Sequence, residues 1–408
     1  MNLPQHAPMD WPVVDDCLML GGILLTTLAR RVGRTPFYAY DRARIDVRID
    51  LLRRYFPGAV KLHYAIKANP MPALVCHMAG RVDGLDVASG GELTTALDAG
   101  MTPQNVSFAG PGKSAAELAR AVAAGILVNV ESSREIGILE RISHDAGAPA
   151  RVAIRVNPTF ELKSSGMKMG GGPKPFGVDA ELVPELLQNI RSRGLAFEGF
   201  HIFSGSQNLQ ATAICEAQVK AVELALSLAQ SAPAPVRVLN IGGGLGIPYF
   251  PGDEPLDLAA IGENLYVLSE RLASELPQAA LVVELGRYLV GEAGIYVCRV
   301  IERKTSRGEV FLVTDGGLHH HLAASGNFGQ VIRKNYPALI GNRVAGGRRE
   351  LASVVGPLCT PLDVLVERME LAQAQEGDLV VVLQSGAYGL TASPGAFLSH
   401  PPALETLV

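Results

Sequence analysis

Val60-Lys61-Leu62-His63-Tyr64-Ala65-Ile66-Lys67-Ala68-Asn69 reads as a mostly apolar strand that ends on a lysine. Its apolar stretch is too short for a helix, and polar residues close it. The pattern recurs. Residues 60–66, 84–88, 106–109, 126–130, 152–156, 197–203, 236–241 and 281–285 are short runs rich in Val, Ile and Leu. Most are apolar on both faces, as strands of a buried parallel sheet are. Helical periodicity fills most of the gaps, over 92–99, 115–124, 134–145, 181–192, 211–230 and 258–276. Ser114 and Ser133 are candidate N-caps, and Gly100 and Gly125 candidate helix stops. Eight strands in this order predict an α/β fold, a TIM-type (β/α)8 barrel of about 250 residues. A doubly wound open sheet is the alternative, because a strand count does not prove closure.

Past residue 290 the texture changes. Residues 295–302, 310–314, 350–355 and 378–383 read as strands with no long helix between them, which predicts an all-β domain over 290–408. The expected organisation is an N-terminal segment 1–35 packed on the β domain, a barrel over 36–289, and the β domain. Gly, Lys and Pro over 164–175 suggest a mobile loop.

Composition narrows the function. Of 408 residues, 48% are apolar and 19% charged, with a net charge of −4, so the chain can build a large core and carries no general basic coat for nucleic acid. No apolar run reaches the ~20 residues of a membrane span; the best, 17–28, is broken by Gly21 and Gly22. Asp10, Asp15 and Asp16 argue against a signal peptide. The five cysteines are scattered with no CxxC, which points to reduced thiols and a cytoplasmic location. His319-His320-His321 invites a metal reading, but neighbours on a strand face opposite ways, so no metal is expected.

A barrel of this kind places its chemistry after the strands' C-terminal ends. Lys67 follows the first strand, where partial desolvation would favour a nucleophilic amine. A lone lysine there is also explained by a stem lying on apolar surface. Asp86 and Ser89 flank the end of the second strand, and Arg155 lies on the fifth. His201, Phe203 and Ser206 are on or just after the sixth. Gly242, Gly243 and Gly244 follow the seventh and offer backbone N–H groups to a phosphate, or form a plain tight turn. Glu284 ends the eighth, with Arg287 just beyond. A carboxylate on an apolar strand needs a partner, and a pyridinium nitrogen is one. Lysine, glycines, arginine and carboxylate together describe a pyridoxal phosphate site.

These motifs resemble the fold-type III pyridoxal phosphate decarboxylases, the family of diaminopimelate and ornithine decarboxylases, whose architecture is like that of alanine racemase. Tyr64-Ala65-Ile66-Lys67-Ala68-Asn69 is similar to the cofactor-lysine motif, Asp86-Val87-Ala88-Ser89-Gly90-Gly91-Glu92 to a second strand-end motif, and Gly205-Ser206-Gln207 to a phosphate contact. Gly242, Gly243 and Gly244 match the phosphate loop, and Glu284-Leu285-Gly286-Arg287 the motif for the pyridine nitrogen. Gly356-Pro357-Leu358-Cys359 matches the motif whose cysteine reaches the partner subunit's site, and Gly386-Ala387-Tyr388 a tyrosine near the cofactor phosphate. The resemblance implies that Lys67 carries the cofactor as a Schiff base, that Cys359 reprotonates the α-carbon, and that the active unit is a homodimer with shared sites. Asp86, Ser89, Arg155 and Phe203 complete the implied cofactor set. Glu284 disfavours a racemase, whose relatives place arginine at that nitrogen. The intact Lys67, Glu284, Arg287 and Cys359 disfavour a catalytically silent regulatory homologue.

Departures from the family pattern sharpen the substrate. Phe203 stands where the family stacks a histidine on the ring. Thr360 replaces the glutamate that holds the distal ammonium of diaminopimelate, and losing one partner of a buried ion pair costs about 3–5 kcal/mol. Arg333 and Tyr336 are candidates for a distal carboxylate. Cys359-Thr360-Pro361-Leu362-Asp363 and Asn327-Phe328-Gly329-Gln330 resemble the exosortase-associated and glutamyl-carrier-protein decarboxylases. That implies an acidic amino acid held on an acyl carrier protein, with free diaminopimelate or another basic amino acid as the alternative. Arg333, Lys334, Arg343, Arg348 and Arg349 form a candidate basic rim for such a carrier.

Overall fold

The computed structural model describes residues 6–8, 10–162, 166–330 and 332–408. Residues 1–5 and 9 of the N-terminal segment, Ser164 and Ser165 of the loop expected to be mobile, and Val331 lie outside the described residues. The chain forms two compact units. One is Arg48–Ile247 with Leu256–Tyr288; the other is Met1–Val47, Pro248–Pro255 and Leu289–Val408.

The first unit is the barrel. Its strands are β1 (Lys61–Ala65), β2 (Gly84–Val87), β3 (Val106–Phe108), β4 (Leu127–Val130), β5 (Arg151–Asn157), β6 (Ala196–His201), β7 (Val238–Asn240) and β8 (Ala280–Leu285). They pair in parallel in sequence order. β8 pairs with β1, so the sheet closes and the open-sheet alternative is set aside. Four of the helices between them start on side-chain caps, from Ser89, Ser114, Ser132 and Asp257. Ser114 forms a capping box with Glu117, and Gly125 ends that helix in the left-handed conformation. The cap of the next helix is Ser132 rather than Ser133, because the Ser132 hydroxyl is the one that accepts the Glu135 N–H.

Most such barrels fill their interior with branched apolar side chains. Here the inward positions are strongly polar. The two-residue strand period turns His63, Asn129 and Asn240 inward, and Asp86, Arg155, His201 and Glu284 above them. A cavity of about 230 Å³ is lined by Lys61, Val106, Leu127, Val238 and Ala280, each the first residue of its strand. It runs inward as far as His63, Asn129 and Asn240.

The second unit is a mostly antiparallel sheet. Its strands include β9 (Gly294–Ser306), β10 (Glu309–Thr314), β11 (Arg349–Val355), β12 (Val364–Ala372) and β13 (Leu379–Val382), in the order β13-β9-β10-β11-β12. Residues 36–47, expected in the barrel, belong to this unit. Phe37–Tyr40 is fully buried and pairs with β9 and with Leu404–Leu407. The N-terminal segment packs on the same sheet: Trp11, Leu18, Leu25 and Leu28 share one apolar cluster with Ile295, Val297 and Val381.

Candidate active site

Lys67 sits in a single 3-10 turn, Ile66–Ala68, directly after β1. Its Nζ lies 3.8 Å from Glu284 Oε1 and 5.3 Å from the centre of the Phe203 ring. The side chain is 40% exposed, so Lys67 is less desolvated than its place after an apolar strand suggests. Glu284, on β8, is buried. Its Oε2 faces His201 Nε2 at 3.1 Å and takes a longer hydrogen bond of 3.4 Å from Asn240 Nδ2. Burial pushes the Glu284 carboxyl up, but the His201 hydrogen bond and the charges of Lys67 and Arg155 outweigh it and hold the group down at about 2. Glu284 is therefore an anion at neutral pH.

The glycine run lies against the backbone of Glu284, whose N–H donates to the Gly242 carbonyl at 2.9 Å. Gly242 donates its N–H to Asn240 Oδ1 at 2.8 Å and has φ of +69°, a left-handed conformation that favours glycine. A Cβ on Gly243 would lie 2.2 Å from the Glu284 carbonyl oxygen and 2.5 Å from Leu285 Cδ2. Backbone cannot yield there. Gly243→Ala is expected to lose about 1–3 kcal/mol of stability, and to weaken cofactor binding more than the melting temperature alone would suggest. Thermal melting with and without added cofactor checks this; unchanged cofactor affinity would show that the run is only a turn.

Other expected residues are placed with partners of their own. Asp86 Oδ1 accepts from Ser107 Oγ at 2.5 Å and faces His63 Nδ1 at 3.2 Å. Ser89 caps the helix Gly90–Asp98, its hydroxyl accepting the Glu92 N–H. Arg155 donates to buried Glu131 at 2.8 Å. Ser206 is half-buried in the two-residue strand Gly205–Ser206, and Arg287 opens the short helix Arg287–Val290.

Sequence reading missed Glu131, Asn240 and Lys113. Glu131 accepts from Arg155 and from the Gly110 and Gly177 N–H groups, which joins three loops at the rim. Asn240 lies in a run read as apolar; its one signal is a lone amide at an inward strand position.

Cys359, Thr360, Arg333, Tyr336 and Tyr388 belong to the second unit. Cys359 is exposed. The Thr360 hydroxyl accepts from the Leu362 N–H at 3.3 Å, and Asp363 anchors the loop by accepting from the Leu358 and Leu318 N–H groups. Tyr388 is half-buried with φ of +52°. Arg333 was read as a substrate residue, but its guanidinium donates to the Ser325 and Val364 carbonyls and faces Glu367. Tyr336 is buried against Tyr249, with ring centres 4.6 Å apart. Both side chains are taken up by loop structure. The basic rim is partly neutralised as well: Arg343 pairs with Asp378 and Arg349 with Glu370.

The barrel set fits pyridoxal phosphate. It offers an accessible amine for an aldehyde, a close glycine turn for a phosphate, and a fixed anion for a basic ring nitrogen. The model for the pyridoxal-binding domain of pyridoxal-dependent decarboxylases matches residues 42–291. The chain belongs to this family. An L-glutamyl-acyl-carrier-protein decarboxylase of Niallia circulans is 40% identical over 390 residues, 94% of this chain and 90% of the relative. A diaminopimelate decarboxylase of Aquifex aeolicus is 36% identical over 400 residues, 97% of this chain and 91% of that one. The crystal structure of Helicobacter pylori diaminopimelate decarboxylase with L-lysine superposes with a TM-score of 0.82 at 27% identity, covering 94% of each chain. The decarboxylase is thus a pyridoxal phosphate-dependent carboxy-lyase of fold type III. No helix among its described residues is long and apolar enough to cross a membrane.

Proposed function

We propose that this decarboxylase removes the α-carboxylate of an acidic amino acid held through its side chain on an acyl carrier protein, such as a γ-glutamyl group. Thr360 carries the reading. The residue after the cysteine brings no charge, and its hydroxyl is engaged within its own turn. A distal ammonium would find no anion there, whereas a side chain joined to a carrier has no ammonium to satisfy. The 40% identity to a glutamyl-carrier-protein decarboxylase supports the same substrate class.

When bound, pyridoxal phosphate supplies the electron sink that accepts the pair left by the departing carboxylate. The protein's residues do the rest. Lys67 Nζ would hold the cofactor covalently through its aldehyde carbon and give way to the substrate amine. The glycine run, Ser206, Arg287 and Tyr388 would hold the phosphate. Glu284 would keep the ring nitrogen protonated, Phe203 would pack on the ring, and Asp86, Ser89 and Arg155 would support the rim. Cys359 Sγ, supplied by the partner subunit of a homodimer, returns a proton to the α-carbon.

Free meso-diaminopimelate is the second reading, favoured by the 36% identity to the Aquifex enzyme. A substrate panel separates the two. With pyridoxal phosphate present, γ-glutamyl carrier protein, free glutamate, meso-diaminopimelate, lysine and ornithine are followed for CO2 loss by mass spectrometry. The carrier-bound group is expected to turn over at least about a hundredfold better than diaminopimelate, as the missing ion pair implies. Efficient turnover of free diaminopimelate would overturn the carrier reading and show that another residue holds the distal ammonium.

A further inference from the structure

We propose that His201 and Asn240 are positioning residues that hold the Glu284 carboxylate in one orientation and tie it to the glycine loop. The inference rests on the reading that Glu284 meets the cofactor's ring nitrogen. It goes beyond that reading because it concerns how this chain keeps the carboxylate ready.

The two carboxylate oxygens have different surroundings. Oε2 faces both His201 Nε2 and Asn240 Nδ2, while Oε1 is the oxygen on the Lys67 side. A carboxylate can only accept, so His201 must carry its proton on Nε2 to bond it. Two donors on one oxygen fix the rotation about the last side-chain bond and leave Oε1 to the site. Both donors are themselves fixed. His201 is 2% exposed and lies on β6, while Asn240 is 5% exposed and lies on β7. Asn240 spends its other end on the Gly242 N–H at 2.8 Å. One amide therefore joins the turn expected to take the phosphate to the carboxylate expected to take the ring nitrogen. A satisfied core histidine explains one hydrogen bond, but not why a second donor on the next strand converges on the same oxygen.

The test uses apoenzyme reloaded with pyridoxal phosphate labelled with 15N in the ring. The readouts are the ring-nitrogen chemical shift, cofactor affinity by absorbance titration, and melting of the apoenzyme. His201→Leu removes one donor. Asn240→Asp keeps the acceptor for Gly242 but sets a second carboxylate against Glu284, so that one of the two must take a proton. Both variants are expected to move the ring nitrogen toward its unprotonated shift and to weaken cofactor binding about tenfold or more. His201→Gln, which restores an N–H near the position of Nε2, is expected to recover most of the wild-type shift.

Altered melting with an unchanged ring-nitrogen shift in both variants would overturn the proposal and leave the pair as ordinary packing. Should His201→Leu fail to fold, the isosteric Asn240→Asp gives the same readout. Glu284→Gln is the control for the underlying reading. If it leaves the ring nitrogen unchanged, the assignment of Glu284 falls and the clamp falls with it. If it moves the shift while the two donor variants do not, only the clamp fails.

Discussion

Lys67→Ala is expected to lower turnover by at least about a thousandfold and to abolish covalent capture of pyridoxal phosphate by borohydride. Geometry makes the case, because the barrel contains a second lysine that burial alone would nominate. Lys113 is almost fully buried, and burial pushes its amine down against the pull of Glu135 and Glu131. A desolvated lysine is a common nucleophile. The hydrogens of Lys113, however, are already used: Nζ donates to the Gly110 and Asn129 carbonyls at 2.8 Å each and meets Glu135 at 3.1 Å. Lys67, by contrast, has a side chain 40% exposed and faces Glu284 and Phe203 at the rim. After borohydride reduction and digestion, peptide mass spectrometry should find the cofactor mass on the Lys67 peptide. Lys113→Met should keep that label while losing about 3–5 kcal/mol of stability, since Glu135 is left buried without its cation. A label on Lys113, or one that survives in Lys67→Ala, would reverse the assignment.

The barrel was legible because most strands are short, rich in Val, Ile and Leu, and followed by glycine or polar residues, a local pattern that needs no tertiary information. The rim residues were legible for the same reason, since a charged residue at the end of an apolar strand stands out. The residues that link the rim were not. Asn240 is an amide at the end of a three-residue strand, and its importance lies in reaching Gly242 and Glu284, which meet only once β7 pairs with β8. Glu131 gathers Arg155 from β5 and the N–H groups of two loops, all far from it in sequence. In the sheet unit, β12 went unread because Val364-Leu365-Val366-Glu367-Arg368-Met369-Glu370-Leu371-Ala372 is rich in helix formers. Pairing with β11, through two register shifts, overrides that preference. Phe37–Tyr40 was assigned to the barrel by position, but its hydrogen-bond partners come from near residues 295 and 405. Arg333, a candidate for a distal carboxylate, donates to the Ser325 and Val364 carbonyls, contacts that its neighbours in sequence do not announce.

Acidification from pH 7.5 to 5, above the usual carboxylate range, is expected to lower the melting temperature of the sheet unit by on the order of 10 °C. The cause is the run His319-His320-His321. All three are buried. His319 has no hydrogen-bond partner for either ring nitrogen among the described residues, and its ring centre lies 3.7 Å from that of His320 and 5.0 Å from that of His400. His321 Nε2 is 2.8 Å from Ser385 Oγ. Burial pushes His319 and His321 down to about 3, helped at His319 by the neighbouring imidazoles, and burial lowers His320 too. In the unfolded chain the same groups titrate near 6.5. Between these values the unfolded state binds protons that the folded state refuses, so stability falls as the pH drops below about 6.5. At pH 5 each of His319 and His321 contributes about 2 kcal/mol of lost stability. His63, in the barrel unit, has the opposite sign: burial pushes it down, but Asp86 outweighs that and raises the pKa, so its contribution is full below about 6.5 and is lost as the pH rises above it. Burial raises Asp363 and Glu405, which gain stability as the pH falls toward the carboxylate range, so the slope is best read above pH 5. Glu284, held at about 2, loses its contribution only as the pH falls below about 4.5 toward that value. Melting followed across pH 5–7.5 in wild type and in His321→Gln separates these terms. The variant is expected to be less stable at pH 7.5 yet to lose less on acidification, because one refused proton has been removed. Equal slopes in the two proteins, or a flat wild-type profile above pH 5, would show that the buried imidazoles accept protons without unfolding.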